Sequence, residues 1–142
     1  KTQPIVLASD HAGFKLKENV KEFLIRKRKK VLDLGTKNSE SVDYPDFAHL
    51  LSKKLKNKNN QIGILICGSG AGMNMAANKH KHIRSVLCYD IKSTKLSRQH
   101  NNANVMAIGA RLTKKNLALK CVSTFIKTNF EGGRHQRRVK KI

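Results

Sequence analysis

The chain has 142 residues, 39% of them hydrophobic, and a formal net charge of +21 from 30 Lys and Arg against 9 Asp and Glu. This length suits one domain, residues 1–142, with one hydrophobic core, and no apolar run approaches the roughly 20 residues of a membrane-spanning helix. The basic residues are dispersed and only 5% of residues are aromatic, so we favour compositional drift toward Lys and Asn over specific nucleic-acid binding. An anionic substrate fits the same charge.

Short apolar runs alternate with helical patterns along the whole chain. The strands are predicted at residues 5–8, 31–35, 62–67, 84–89 and 104–110. The helices are predicted at residues 14–28, from a cap at Asp46 to about 55, at about 72–78, 92–99 and 115–128, with a basic tail over 130–142. Because the strands are continuously apolar, both of their faces are covered. The fold class is therefore α/β, a Rossmann-like three-layer α/β/α sandwich around a five-stranded parallel sheet.

The loop after the third strand, "CGSGAG" from Cys67 to Gly72, is rich in glycine. It matches neither the phosphate-binding loop of nucleotide triphosphatases nor the dinucleotide fingerprint. Backbone N–H groups at a helix start form an anion cradle, for a phosphate or for a negative charge that develops on an oxygen during a reaction. The alternative is a tight turn that merely needs small residues.

Several titratable residues fall near the predicted strand ends, where ligands of such sheets bind. Cys67 precedes the cradle, which favours its thiolate as a base or nucleophile, although a strand-end cysteine can also be inert. The pattern of strands and helices predicts that His11 and His100 lie on loops at this edge, beside Asp10 and Asn101. Cys88 and Cys121 are read as core. No His, Cys and Asp cluster has metal-ligand spacing, so we predict no metal and no cofactor.

The tail carries "FEGGRHQRRVKK". If the residues after Gly133 are helical, Arg134 and Arg138 lie at i and i+4 on one face, which suits phosphate binding by two guanidinium groups. The alternative is a frayed basic tail. Three scattered cysteines argue against a disulfide framework, and no leader pattern opens the sequence, so we expect a cytoplasmic protein.

Six segments in order resemble the ribose-5-phosphate isomerase type B family, which also holds galactose- and allose-phosphate isomerases. They are "SDHAGFKLK", "DYPDFA", "ICGSGAGMNMAANK", "IRSVLCYD", "SRQHNNANVMAIGAR" and "FEGGRHQRRV". The resemblance implies an aldose–ketose isomerase of ribose 5-phosphate and ribulose 5-phosphate in the pentose phosphate pathway, working without a metal. It also implies a homodimer, sometimes a tetramer, with pockets built from both subunits, in which His100 and Asn101 reach the pocket from the partner subunit. A hexose-phosphate isomerase of the same family is the alternative.

The resemblance also assigns roles. Cys67 is implied as the base that moves a proton between C2 and C1, Ser69 as the group that helps to move a proton between the substrate oxygens, and His100 as the ring-opening group. The amides that hold the enediolate charge would be those of Gly68, Ser69, Gly70, Ala71 and Gly72, with Asn101 as a further donor. The sugar contacts would be Asp10 and Tyr44, and the phosphate clamp His11, Arg111, Arg134 and Arg138.

One position separates two branches of the family. Members without the cysteine use a glutamate in the helix turn after the glycine loop, and the residue here is Met73, which accepts no proton. The chain therefore resembles the cysteine branch.

Overall fold

The computed structural model describes residues 3–142 and contains a five-stranded sheet whose strand pairs are all parallel. The strands are β1 (Ile5–Ser9), β2 (Val31–Asp33), β3 (Gly63–Cys67), β4 (Ser85–Leu87) and β5 (Val105–Gly109). Their spatial order is β2-β1-β3-β5-β4. The chain leaves β1 toward one side for β2 and then crosses back to the other side for β3. The carboxyl ends of β1 and β3 therefore flank the switch point, where parallel sheets open a crevice.

Within the described residues 3–142, six helices accompany the sheet. They are α1 (Phe14–Arg26), α2 (Tyr44–Lys54), α3 (Ala71–Ala77), α4 (Ile91–Asn101), α5 (Lys115–Lys127) and α6 (Arg134–Val139). α2 packs against α3 on one face, whereas α5 packs against both α1 and α4 on the other. This arrangement confirms the predicted three-layer α/β/α sandwich.

Two hydrophobic clusters cover the two faces of the sheet. Along β1, Leu7 joins the cluster beneath α1 and α5, whereas Val6 and Ala8 join the cluster beneath α2 and α3. Successive side chains of a strand point to opposite faces, so a strand covered on both sides must be apolar at every position. This explains the unbroken apolar runs in the sequence.

Two predicted details differ from the structure. The second helix begins at Tyr44 with Asp43 at its N-cap, so Asp46 lies within the first turn and does not cap it. Pro45 in this first turn explains the earlier start, because proline favours the first helical positions. The tail contains a helix, α6, so the condition for placing Arg134 and Arg138 on one face is met.

Within residues 3–142, no helix combines the length and the apolar character needed to cross a membrane.

Candidate active site

The glycine loop between β3 and α3 fits tightly against β5. Gly70 adopts φ of +81°, and a Cβ there would lie 2.9 Å from the backbone nitrogen of Gly109. A Cβ on Gly109 would in turn lie 2.4 Å from the carbonyl oxygen of Ser69. The loop therefore needs glycine on both sides of this contact, because the two backbones approach more closely than any side chain allows.

Two functional candidates from other elements flank the glycine loop. The Arg111 guanidinium follows β5 and lies 3.0 Å from where a Cβ of Gly68 would be. The Tyr44 ring, at the start of α2, lies 2.4 Å from where a Cβ of Gly72 would be. These two glycines keep the backbone open to a cation on one side and a phenol ring on the other.

The three cysteines differ in position as the sequence predicted. Cys67 ends β3 with 4% of its surface exposed, directly before the loop. Burial raises the pKa of Cys88 to about 12, and burial also raises the pKa of Cys121. These two thiols stay protonated and pack in the core. Met73 is fully buried and offers no proton acceptor beside Cys67.

The loop after β1 brings two more candidates to the same edge. The buried Asp10 accepts a hydrogen bond at Oδ1 from the N–H of Gly13 at 3.0 Å. His11 accepts at Nδ1 from the N–H of Val42 at 3.1 Å, which leaves Nε2 as its free donor. Ser69 accepts at Oγ from the N–H of Ala71 at 3.2 Å. The carboxyl-edge cluster, as we name it, comprises Asp10, His11, Tyr44, Cys67, the loop 68–72 and Arg111.

The remaining candidates form a second group at the opposite edge of the sheet. His100 and Asn101 end α4, and Arg134 and Arg138 lie on α6, which packs against α4. A cavity of about 360 Å³ is lined by His100, Asn101 and Arg138, together with His135. We name His100, Asn101, Arg134, His135 and Arg138, together with the neighbouring Glu131, the amino-edge cluster.

The prediction that His100 lies on a loop at the carboxyl edge is wrong. His100 lies in the last turn of α4, just before β5 begins at Val105. A helix that connects parallel strands returns to the edge where the next strand starts, so His100 lies beyond the amino end of β5. β5 alone separates this edge from Gly109, the neighbour of Cys67, by about 13 Å. Within one chain, the two groups of candidate residues therefore do not touch.

Glu131 and His135 are members of the amino-edge cluster to which the sequence assigned no role. The His100 and His135 rings stack with centroids 4.2 Å apart. Oε1 of Glu131 lies 3.9 Å from Nε2 of His100 and 3.7 Å from Nε2 of His135. Burial, and then the charges of His100 and Arg134, lower the pKa of His135. Both residues stand in the quoted "FEGGRH" segment, which was their only signal in the sequence.

The three ligand atoms of His100, Glu131 and His135 lie within 4.8 Å of one another, a spacing that could hold a metal ion. The two rings are inclined by only 12°, so their in-plane lone pairs run side by side and do not converge on one point. The geometry suits a carboxylate that faces two imidazoles better than it suits tetrahedral coordination.

Together, the doubly covered parallel sheet and the thiol beside a glycine loop at the switch point define an α/β enzyme of a small anionic substrate. The model of the ribose/galactose isomerase family matches residues 5–142. The chain belongs to this family.

Individual relatives agree over nearly the full length. A Mycoplasma genitalium protein named probable ribose-5-phosphate isomerase B is 47% identical over 140 residues, covering 97% of this chain and 92% of that protein. The solved ribose-5-phosphate isomerase B of Clostridium thermocellum superposes with a TM-score of 0.95 at 42% identity, covering 98% and 94% of the two chains. The Mycoplasma genitalium enzyme with bound ribulose-5-phosphate gives a TM-score of 0.93 at 46% identity, covering 97% and 92%.

Proposed function

We propose that this chain, as one domain over residues 1–142, is an aldose–ketose isomerase that interconverts ribose 5-phosphate and ribulose 5-phosphate. The observation that carries the proposal is Cys67, buried directly before a glycine loop whose other side faces Arg111. The relatives named ribose-5-phosphate isomerase B favour a pentose over a hexose phosphate. The three cysteines are unpaired, in keeping with a reducing cytoplasm.

The proposed reaction moves protons only. The Cys67 thiolate removes the proton from C2 of the open-chain aldose, and the electrons form an enediolate whose negative charge lies on O1. Backbone N–H groups of the loop 68–72 hold this charge. Ser69 helps to move a proton from O2 to O1, and the Cys67 thiol returns its proton to C1, which yields the ketose. The substrate leaves with the atoms and electrons with which it entered, so no cofactor is required.

The carboxyl-edge cluster is only half of a site, and we propose that a second copy of the chain supplies the other half. The ring-opening His100, the Asn101 donor and the two arginines of α6 all lie at the opposite edge of their own sheet. A homodimer in which the amino-edge cluster of one copy meets the carboxyl-edge cluster of the other brings the full set together. Exposed apolar side chains support an interface, with Met75 65%, Tyr89 59% and Leu112 75% exposed.

The phosphate would bind where the two copies meet. His11 has a free Nε2 donor because Val42 occupies its Nδ1, and Arg111 stands beside the glycine loop. Arg134 and Arg138 of the second copy would complete the clamp, since guanidinium groups bind phosphate oxygens in pairs. Asp10 and Tyr44 would then contact the sugar between the clamp and the loop.

A direct assay tests this function. The purified protein is mixed with ribose 5-phosphate, and ketose formation is followed by its absorbance. We expect turnover by the wild-type chain and a loss of about 10² to 10⁴ in kcat for Cys67→Ala, the range for a lost general base. Cys88→Ala is the matched control, because it removes another buried cysteine outside the site, and it should keep wild-type turnover. Absence of ketose with a folded wild-type protein would disprove the function.

A further inference from the structure

A polar cleft of the described chain lies away from the carboxyl-edge cluster. It has a volume of about 500 Å³ and is lined by the segments that precede β3, β4 and β5. It therefore opens at the amino edge of the sheet, where neither the proposed base nor the glycine loop is present. Its walls are polar, with three basic side chains and a series of asparagines.

Two arginines line this cleft without an acidic partner. Arg84 and Arg98 are both half-buried. Burial lowers the pKa of each guanidinium, and the charge of Arg84 lowers the pKa of Arg98 further. Among residues 3–142, the ion pairs involve other cations, so neither arginine has a carboxylate within ion-pair distance. Two like charges held together out of water are unfavourable unless an anion joins them.

The two guanidiniums are nevertheless fixed in place by their own hydrogen bonds. Arg84 donates from Nε to the carbonyl oxygen of Asn102 at 2.8 Å. Arg98 donates from Nε to the carbonyl oxygen of Thr128 at 3.0 Å and from Nη1 to Oδ1 of Asn102 at 3.3 Å. Asn102, in the left-handed region with φ of 48°, thus connects both arginines. The hydrogen bonds of Arg84 leave its two terminal nitrogens free to donate.

Further groups complete the walls. Asn104 accepts at Oδ1 from the N–H of Arg84 at 2.7 Å and donates from Nδ2 to the carbonyl oxygen of His82 at 2.9 Å, which orients this side of the cleft. Lys58 adds a third cation from the loop before β3. Preorganised, half-buried guanidiniums with free N–H groups are the groups that recognise phosphate oxygens.

We propose that the Arg84–Arg98 cleft binds a small phosphate-bearing anion at a site separate from the active site. The cleft holds His82, Arg84, Arg98 and Asn102, none of which belongs to the proposed catalytic set. Asn102 follows directly after His100 and Asn101. An anion bound to Arg84 and Arg98 would therefore also hold the end of α4 in place, because both arginines bond Asn102.

Calorimetric titration with inorganic phosphate in about 0.15 M salt tests the proposal, since salt at this level screens general attraction to a basic surface. The background is Arg138→Gln, which weakens the phosphate clamp of the proposed active site. We expect saturable phosphate binding in this variant. When Arg84→Gln is added, the affinity should fall about tenfold or further, because charge-assisted hydrogen bonds are lost. Lys56→Gln is the matched control. It removes one charge from the loop before β3, which also carries Lys58, but Lys56 does not line the cleft, so the affinity should stay unchanged.

Other outcomes overturn the proposal. These are no saturable binding, equal affinity with and without Arg84→Gln, or an equal loss in Lys56→Gln, which would indicate general attraction only. If Arg84→Gln does not fold, Lys58→Gln at the cleft replaces it with the same expected direction. Hydrogen exchange provides a second readout, because phosphate should slow exchange of the amides at residues 102–104 in the Arg138→Gln background. Unchanged exchange at saturating phosphate would contradict binding in this cleft.

Discussion

Two inactive variants should restore activity when they share a dimer. Cys67→Ala removes the proposed base, and His100→Gln removes the proposed ring-opening group. The two side chains stand at opposite edges of one sheet, separated by the length of β5, about 13 Å. In the proposed dimer, each complete site therefore takes Cys67 from one copy and His100 from the other.

The expected recovery follows from this geometry. If the two variants are coexpressed in equal amounts and pair at random, half of the dimers contain one copy of each. In such a dimer, one site combines both defects and the other combines intact Cys67 with intact His100. About a quarter of all sites are then functional, so the mixture should reach about 25% of wild-type turnover. Each variant alone should retain about 1% or less, given the usual loss of 10² to 10⁴ for a missing acid–base group.

The assay is ketose formation from ribose 5-phosphate by the unfractionated coexpressed mixture, and a different affinity tag on each variant shows that mixed dimers are present. A control pair combines Cys67→Ala with the double variant Cys67→Ala/His100→Gln. Because this pair contains no intact Cys67, it should show no recovery. Activity of the test pair that does not exceed the sum of its parts, despite proven mixed dimers, would refute the shared site.

Three further predictions concern the loop, a buried ion pair and pH. Gly109→Ala should lower kcat by about 10²-fold, because the new Cβ would lie 2.4 Å from the Ser69 carbonyl oxygen and displace the loop. Lys17→Met should lower the free energy of unfolding by about 3 kcal/mol in urea titrations, because Lys17, 1% exposed, bonds Asp33 at 2.7 Å. Burial and neighbouring basic groups lower the pKa of His80 below 6.5, so the midpoint of thermal unfolding should fall as pH drops below that value, where only the unfolded chain takes up the proton.

Each of these predictions has a control. Gly109→Ala should keep the wild-type circular dichroism spectrum, and wild-type kcat would show that the loop tolerates the new methyl group. Lys17→Met/Asp33→Leu should recover part of the lost stability, because it removes a carboxylate whose remaining cation is the more exposed Lys21. A His80→Asn variant should lose less stability than wild type between pH 7 and pH 5. An equal loss would place the acid sensitivity elsewhere.

Much of the fold is predictable because it depends on local pattern. Unbroken apolar runs predicted strands covered on both faces, and all five strands pair in parallel. Cys67 and the loop 68–72 are adjacent in sequence, so their proximity needed no tertiary information. The start of α2 was predicted too late because Asp46 is a favourable cap residue, whereas Pro45 favours a helix that begins at Tyr44.

The amino-edge cluster was harder to predict. The edge of His100 is predictable from strand polarity alone, because a segment that precedes a parallel strand lies at its amino end. The neighbours of His100 are a different case. His135 reaches it because α6 packs against α4, and Glu131 reaches it because its N–H donates to the carbonyl oxygen of Gln99 in α4; contacts of this kind join segments that are distant in sequence. The cleft of Arg84 and Arg98 was missed for the same reason.

The distribution of charge between the two clusters explains why a half-site is not enough. The carboxyl-edge cluster offers a base and backbone N–H groups, with Arg111 as its guanidinium. The amino-edge cluster offers Arg134 and Arg138, but no base beside a charge-stabilising loop. When the clusters of two copies meet, their arginines repel one another unless an anion lies between them. In the proposed dimer, the phosphate of the substrate would supply that anion, and the binding energy of this non-reacting group would hold C1 and C2 against Cys67. The same repulsion disfavours an occupied site that lacks a phosphate, which makes the phosphate a specificity determinant of the proposed isomerase.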